Sequence, residues 1–350
     1  MEKLTPYQRV IRALRGQEVD EVPFTSYEEF VPPCTEERLL RDRGLCVVRR
    51  TTSWREVFTN VKVTKLHYTD EKGRNLIKTE YSTPVGSLTA LQEPSGTTVW
   101  THEYPFKSEE DYKVLKYIFK DRHAVENYAH AQSVLKNAGE DYIVRDNLPL
   151  EPLQTFISGV FMDPQDYAYE WYDNRDELME LMEEAAHFNE ECYHIIAGGP
   201  LELVNYGGNV VPQFIGRDNY KEYYMPYYAR ACEVLQPAGK LVGCHYDADN
   251  TTIMDLIAQT PLDYIEAYDP GISPPVDEAL KAFGDKALWL NWPSPWHCHT
   301  KEEIREDTRE LIRQAGNFPR FLIGVTEDPP IDRWAEIFNA IKDGIDQSKG

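Results

Sequence analysis

No stretch of this 350-residue sequence approaches the roughly 20 consecutive apolar residues that a membrane-spanning helix needs. The opening MEKLTPYQRVIRALRG is broken by Arg9, Arg12 and Arg15 before any apolar core of secretory-signal length can form. Cysteine is sparse: Cys34, Cys46, Cys192, Cys232, Cys244 and Cys298 form no CxxC pair and no regular framework. That argues against a disulfide scaffold and for reduced thiols in a cytoplasm. Basic residues are in deficit, with 37 Lys and Arg against 59 Asp and Glu, a net charge of −22. Partners held by phosphate neutralisation, namely nucleic acid and anionic membrane surfaces, are therefore excluded. No GxGxxG follows the first expected strand, which weighs against a doubly wound dinucleotide-binding sheet.

Apolar residues make up 41% of the chain and aromatics 12%, with 22 tyrosines, enough for a folded core. The first helix is signalled by Thr5 as cap, Pro6 at the first helical position and Gln8 completing a capping box, with Gly16 after its end. A core strand is expected over Val22–Ser26. Residues 58–106 alternate: Val61 and Val63, then, after a phase slip at Lys65, Leu66 and Tyr68, then Ile77, Thr79 and Tyr81, then a pattern through Thr97–Tyr104. This reads as an antiparallel hairpin or small sheet with a bulge at the slip, inserted over a barrel mouth. From about residue 108 helical and strand patterns alternate: DYIVRDN, LELVNYGGN, KLVGCHYDAD, LDYIEAYDP, KALWLNWPS and RFLIGVTEDPP read as strands, each followed by a helix. Pro226 should kink the helix in RDNYKEYYMPYYARACEVL. The unit count approaches eight, so the expected fold is an α/β TIM (β/α)8 barrel, one domain over residues 1–350 with an N-terminal helical extension and the inserted hairpin region.

In such a barrel, function lies at the carboxyl ends of the strands. Those ends carry Tyr27, Glu28 and Glu29; Arg145, Asp146 and Asn147; Asn205 and Tyr206; His245 and Asp247; Glu266 and Tyr268; Asn291 and Trp292; and Thr326, Glu327 and Asp328. His245 follows an apolar run, where an imidazole can ligate a metal or serve as acid or base; a structural histidine bonded to a carbonyl is the plainer alternative. Glu327 leaves the last strand, where a carboxylate costs desolvation unless paired or metal-bound, or serves the following helix N-terminus. Glu266 is a third candidate, or an ion-pair partner beneath the pocket. His297–Cys298–His299 is expected to sit at the start of a helix capped by Thr300, because adjacent residues point in different directions and seldom ligate one ion.

Several segments carry a family resemblance. LTPYQRVIRALRGQEVDEVPF resembles the opening of the uroporphyrinogen decarboxylase-like superfamily, and TPVGSLTA at 83–90 the inserted hairpin of its corrinoid-dependent methyltransferase branch. NYGGNVVPQFIGRDNYKEYYMPYY resembles the central strand, loop and helix; GCHYDAD falls on the His-x-Cys zinc motif, and GVTEDPPIDRWAEIFNAI on the final cysteine region. Two departures stand out. Where the decarboxylase carries arginines after its first strand, this chain has Phe24-Thr25-Ser26-Tyr27-Glu28-Glu29. Where the thiol-activating enzymes place two zinc cysteines, it has Asp247 and the Val325–Glu327 segment, a harder donor set.

The resemblance implies an O-demethylase methyltransferase: a methyl group moves from a methoxylated aromatic to the cobalt of a corrinoid (cobalamin) on a separate protein. His245, Asp247 and Glu327 are then the expected catalytic residues. His245, Glu266 and Glu327 are the expected ligands if zinc is bound. Tyr27, Glu28, Arg145, Asn147, Asn205, Tyr206, Tyr268, Asn291 and Trp292 are the expected substrate contacts. The alternatives are a methylcorrinoid-to-thiol methyltransferase, a decarboxylase of a small substrate using Arg145 and His245, or a ligand-binding barrel without catalysis. Monomer and homodimer both stay open.

Overall fold

The structure, a computed structural model, describes residues 3–96 and 98–348, so Thr97 of the third alternating pattern lies outside the described residues. The capping box predicted at Thr5 forms, with the Thr5 side chain accepting from the Gln8 amide and the Gln8 side chain from the Thr5 amide, and the helix runs Pro6–Leu14. The strands in chain order are β1 (Phe24–Tyr27), β2 (Leu45–Thr51), β3 (Trp54–Phe58), β4 (Lys62–Thr69), β5 (Asn75–Thr83), β6 (Gly86–Ser95), β7 (Thr98–Glu103), β8 (Arg122–Glu126), β9 (Tyr142–Asn147), β10 (Leu203–Tyr206), β11 (Leu241–His245), β12 (Tyr264–Tyr268), β13 (Ala287–Asn291) and β14 (Phe321–Val325).

Contacts divide the chain into two compact units. The first holds the chain up to Ser53, Tyr128–Leu148 and the chain from Ile196 on; the second holds Trp54–Asn127 and Pro149–Ile195. In the first unit eight parallel strands close a barrel in the order β1-β14-β13-β12-β11-β10-β9-β2. This is the expected (β/α)8 architecture. Its eighth strand is β2, LCVVRRT, which is not among the expected strands.

Alternate residues of each barrel strand point inward. Leu203, Tyr264, Ala287, Trp289 and Leu322 fill the interior with Cys46, Val48 and Ile143. Trp289 Nε1 donates to Thr25 Oγ1 (2.8 Å), and Tyr264 Oη to the Val204 carbonyl (2.8 Å), so both large side chains bury their polar ends satisfied. Two inward positions must be glycine for this to fit. A Cβ on Gly243 would overlap the Tyr264 ring, and one on Gly324 would come within 2.8 Å of Trp289 Nε1.

The second unit contains the inserted antiparallel sheet, ordered β4-β5-β6-β7, and a separate pair of β3 with β8. β4 pairs with β5 without interruption from Lys62 to Thr69, so the phase slip at Lys65 makes no bulge. The register shift falls instead between Leu91 and Gln92, where β6 meets β7. The long helix Arg175–Gly198 forms as read. The expected kink at Pro226 is a full break, with helices Arg217–Tyr223 and Met225–Leu235 meeting at Tyr224 and Pro226 in the first turn of the second. None of the six cysteines forms a disulfide. Among the described residues no helix is long and apolar enough to cross a membrane.

Candidate functional site

Strand parity decides which strand-end residues reach the barrel interior. Tyr27 of β1, Arg145 of β9, Asn205 of β10, His245 of β11 and Glu266 of β12 all point inward at the carboxyl end and meet there, each at most 7% exposed. Glu266 is the hub. Its Oε1 accepts from Tyr27 Oη (2.7 Å) and from the Arg145 guanidinium; its Oε2 accepts from Asn205 Nδ2 (3.0 Å) and His245 Nδ1 (3.1 Å). Burial alone would raise this carboxyl, but Arg145 first, and then His245 and Tyr27, hold it down at about 2. Two guanidinium groups make cation–π contacts with the Tyr27 ring, Arg50 at 4.5 Å and Arg145 at 5.4 Å from its centroid.

A carboxylate has no proton to give, so His245 Nδ1 is the donor towards Glu266, with the Tyr27 oxygen 3.2 Å away as a second acceptor. Nε2 of the same ring lies 3.4 Å from Asp247 Oδ2. Burial opposes a charge on this imidazole, yet its bonds to Asp247 and Glu266 outweigh burial and push it up to about 9. Glu327, just beyond β14, completes the group. One ligand atom each from His245, Asp247 and Glu327 lie within 4.8 Å of one another. Burial and the facing Asp247 raise the Glu327 carboxyl, and burial also raises the nearby Asp269. One imidazole nitrogen and two carboxylates are a donor set that a catalytic zinc accepts, with a position left for substrate. The gathered negative charge fits a cation as well.

The structure brings together His245, Asp247 and Glu327, the three residues expected from sequence to be catalytic. Glu266, grouped with the ligands from sequence, lies below them with both oxygens taken. Arg145 is buried against Glu266, whose charge outweighs burial and raises the guanidinium further, while its Nε has no hydrogen-bond partner among the described residues. Asn291 faces inward and holds the rim, accepting from the Thr326 amide (3.0 Å) and hydroxyl (2.8 Å). Asn147 ends β9 half-buried.

Three expected pocket walls face the other way. Tyr206 follows the inward Asn205, so it turns outward and meets Tyr228 of the helix Met225–Leu235 edge-on. Trp292 follows the inward Asn291 and packs edge-on against Trp296. Tyr268 would share the parity of Tyr264 and Glu266, but Ala267 takes φ +60° and the register with β13 shifts there. That bulge turns the Tyr268 ring onto Phe283 and its hydroxyl onto the Pro274 carbonyl (2.6 Å). Glu28 and Glu29 are not free acids at the mouth. Glu28 accepts from Arg49 Nε (2.7 Å), and Glu29 pairs with Arg50. Both arginines lie on β2, which pairs beside β1. His297 and His299 lie where expected, ahead of the helix Lys301–Ala315 capped by Thr300.

The chain matches no protein-family model and no curated protein. Among solved structures it is similar to a methyltransferase from Methanosarcina mazei, with a TM-score of 0.57 and 12% identity over 97% of this chain and 99% of that one. It is also similar to a B12-independent methionine synthase from a Shewanella species, with a TM-score of 0.44 and 14% identity over 89% and 84% of the two chains. At 12% identity the first of these likenesses establishes a shared fold.

Proposed function

We propose that this chain transfers the methyl group of a methoxylated aromatic to the cobalt of a corrinoid carried by a separate protein, and that His245, Asp247 and Glu327 act on the ether oxygen. The observation that carries this reading is the convergence of their three ligand atoms at the carboxyl end of the barrel. Breaking the bond between methyl carbon and oxygen leaves the electron pair on a phenolic oxygen, which must be neutralised as the methyl departs. His245 is suited to that task. Its Nε2 lies beside Asp247, and Asp247 and Glu266 hold its proton to about 9, so the proton is in place at neutral pH for delivery to the oxygen. Glu327, whose carboxyl is raised by burial and by Asp247, lies beside it. If zinc is resident, His245, Asp247 and Glu327 would hold it, and it would supply Lewis-acid polarisation of the same oxygen.

One observation favours a second donor class. Asp247, Asp269 and Glu327 face one another at the mouth, and the outward turn of Tyr206, Tyr268 and Trp292 removes three aromatic walls. A methylated ammonium donor would suit such a site electrostatically.

The test is a donor panel of methoxyphenols and methylated amines, supplied with a reduced corrinoid protein and followed by methyl-cobalt absorbance, alongside metal analysis of protein purified without chelator. Methyl-cobalt formed from a methoxyphenol supports the first reading, and from an amine the second. No methyl-cobalt from any donor refutes both. His245→Ala and Glu327→Ala should each lower the rate by about 100-fold or more; an unchanged rate in both removes them from the chemistry.

A further inference from the structure

Glu266 makes four hydrogen bonds, and a carboxylate has about four lone-pair positions. Tyr27 and Arg145 fill those of Oε1, and Asn205 and His245 those of Oε2. The residue is fully buried, so no water competes for these positions. It therefore has no acceptor capacity left for a metal or a substrate proton. The same saturation fixes its orientation. Arg145 and Tyr27 pin one oxygen from β9 and β1, Asn205 steadies the other from β10, and one lone pair is left pointing along β11 at His245 Nδ1.

Resting on the proposed role of His245, we infer that Glu266, held by Arg145, Tyr27 and Asn205, is a positioning residue rather than a ligand: it keeps a proton of His245 on Nδ1 and turns Nε2 towards Asp247 and Glu327, so that Nε2 is the atom that delivers a proton or holds a cation. The inference separates two tiers in a cluster of ionisable groups. The lower tier, closed and internally neutralised, sets the tautomer and plane of one ring; the upper tier, with two carboxylates, meets the ligand. Partners of this kind behind a ligating imidazole govern metal affinity without touching the metal.

Nitrogen-15 NMR of labelled full-length protein reads the tautomer directly. In the metal-free protein at alkaline pH, the neutral His245 ring should carry its proton on Nδ1, and with Zn²⁺ added Nε2 should show the metal-bound shift while Nδ1 keeps its proton. In Glu266→Gln the side-chain amide cannot accept from all four donors, so the Nε2–H tautomer should appear and Zn²⁺ affinity, measured by chelator competition, should fall by about 10–100-fold. Tyr27→Phe leaves three of the four bonds and should produce a smaller change of the same sign, which guards against a misfolded Glu266 variant. A wild-type ring protonated on Nε2, or an unaltered tautomer in both variants, overturns the inference. The tautomer is read without any substrate, so a failed donor panel leaves this result standing, and a failed tautomer prediction leaves the donor panel standing.

Discussion

His245 and His297 are both buried imidazoles, and their surroundings drive them in opposite directions. His245 has two carboxylates within reach and is pushed up to about 9; His297 has burial and the Arg333 guanidinium and is pushed down to about 4. The consequence for His297 can be stated with its sign. Its folded value lies below the unfolded 6.5, so its contribution to stability is complete above about pH 6.5 and is lost as pH falls towards 4. At pH 5 the loss should be about 2 kcal/mol. Urea titrations at pH 7 and pH 5 check this: wild type should weaken more than His297→Gln on acidification, and equal weakening would show that the histidine is not held neutral. Asp146 shows the opposite pattern for a carboxyl. Burial raises it to about 6 against an ordinary 3.8, although Ser53 donates to it through both its amide (3.0 Å) and its hydroxyl. The raised value means that stability from this group is present below about pH 4 and is lost as pH climbs through 6. The stability of Asp146→Asn relative to wild type should therefore improve between pH 4.5 and pH 7, as thermal unfolding at the two pH values would show.

At the scale of elements, β12 holds the most consequential irregularity. A non-glycine residue at φ +60° costs roughly 1–2 kcal/mol, and Ala267 bears it next to Glu266, the residue on which the inner network depends. Ala267→Gly should be neutral or stabilising by up to about 1 kcal/mol, because relief of strain is offset by a freer unfolded chain; Ala267→Val should cost about 2–3 kcal/mol in chemical denaturation. On β11, Gly243→Ala should be at least as damaging, since its methyl would displace the Tyr264 ring. The same strands explain what could be read beforehand. Seven of the barrel strands announce themselves as apolar runs ending in polar residues. β2 has the same pattern, its apolar residues 45–48 running into Arg49, Arg50 and Thr51, but only Thr52 and Ser53 separate it from β3, so no loop marks where it ends. Period-two parity was available in the sequence and already assigns Asn205 inward and Tyr206 outward, and Asn291 inward and Trp292 outward. The bulge at Ala267 carries no local signature, so the outward turn of Tyr268 was not legible. Nor was the pairing of Glu28 and Glu29 with Arg49 and Arg50, which depends on β1 and β2 lying side by side.

At the scale of the molecule, a net charge of −22 opposes compaction. Added salt screens that repulsion over a Debye length of about 10 Å at 0.1 M, so the thermal midpoint at pH 7.5 should rise by a few degrees between about 0.01 M and 0.2 M sodium chloride. A midpoint that falls instead would mean that the many arginine–carboxylate pairs outweigh the acidic surplus. The buried network around Glu266 has a further consequence for assembly. It draws one side chain from each of β1, β9, β10, β11 and β12, and parallel strands rich in apolar residues would otherwise tolerate a slip of two positions, which preserves inward parity. A slip in β9 would leave the Glu266 charge buried without its guanidinium, at a cost of about 3–5 kcal/mol, and a slip in β12 would strand Arg145 in the same way. The groups that prepare His245 for chemistry therefore also proofread the closure of the barrel: a chain that has joined its strands in the wrong register cannot bring this set of charges to neutrality.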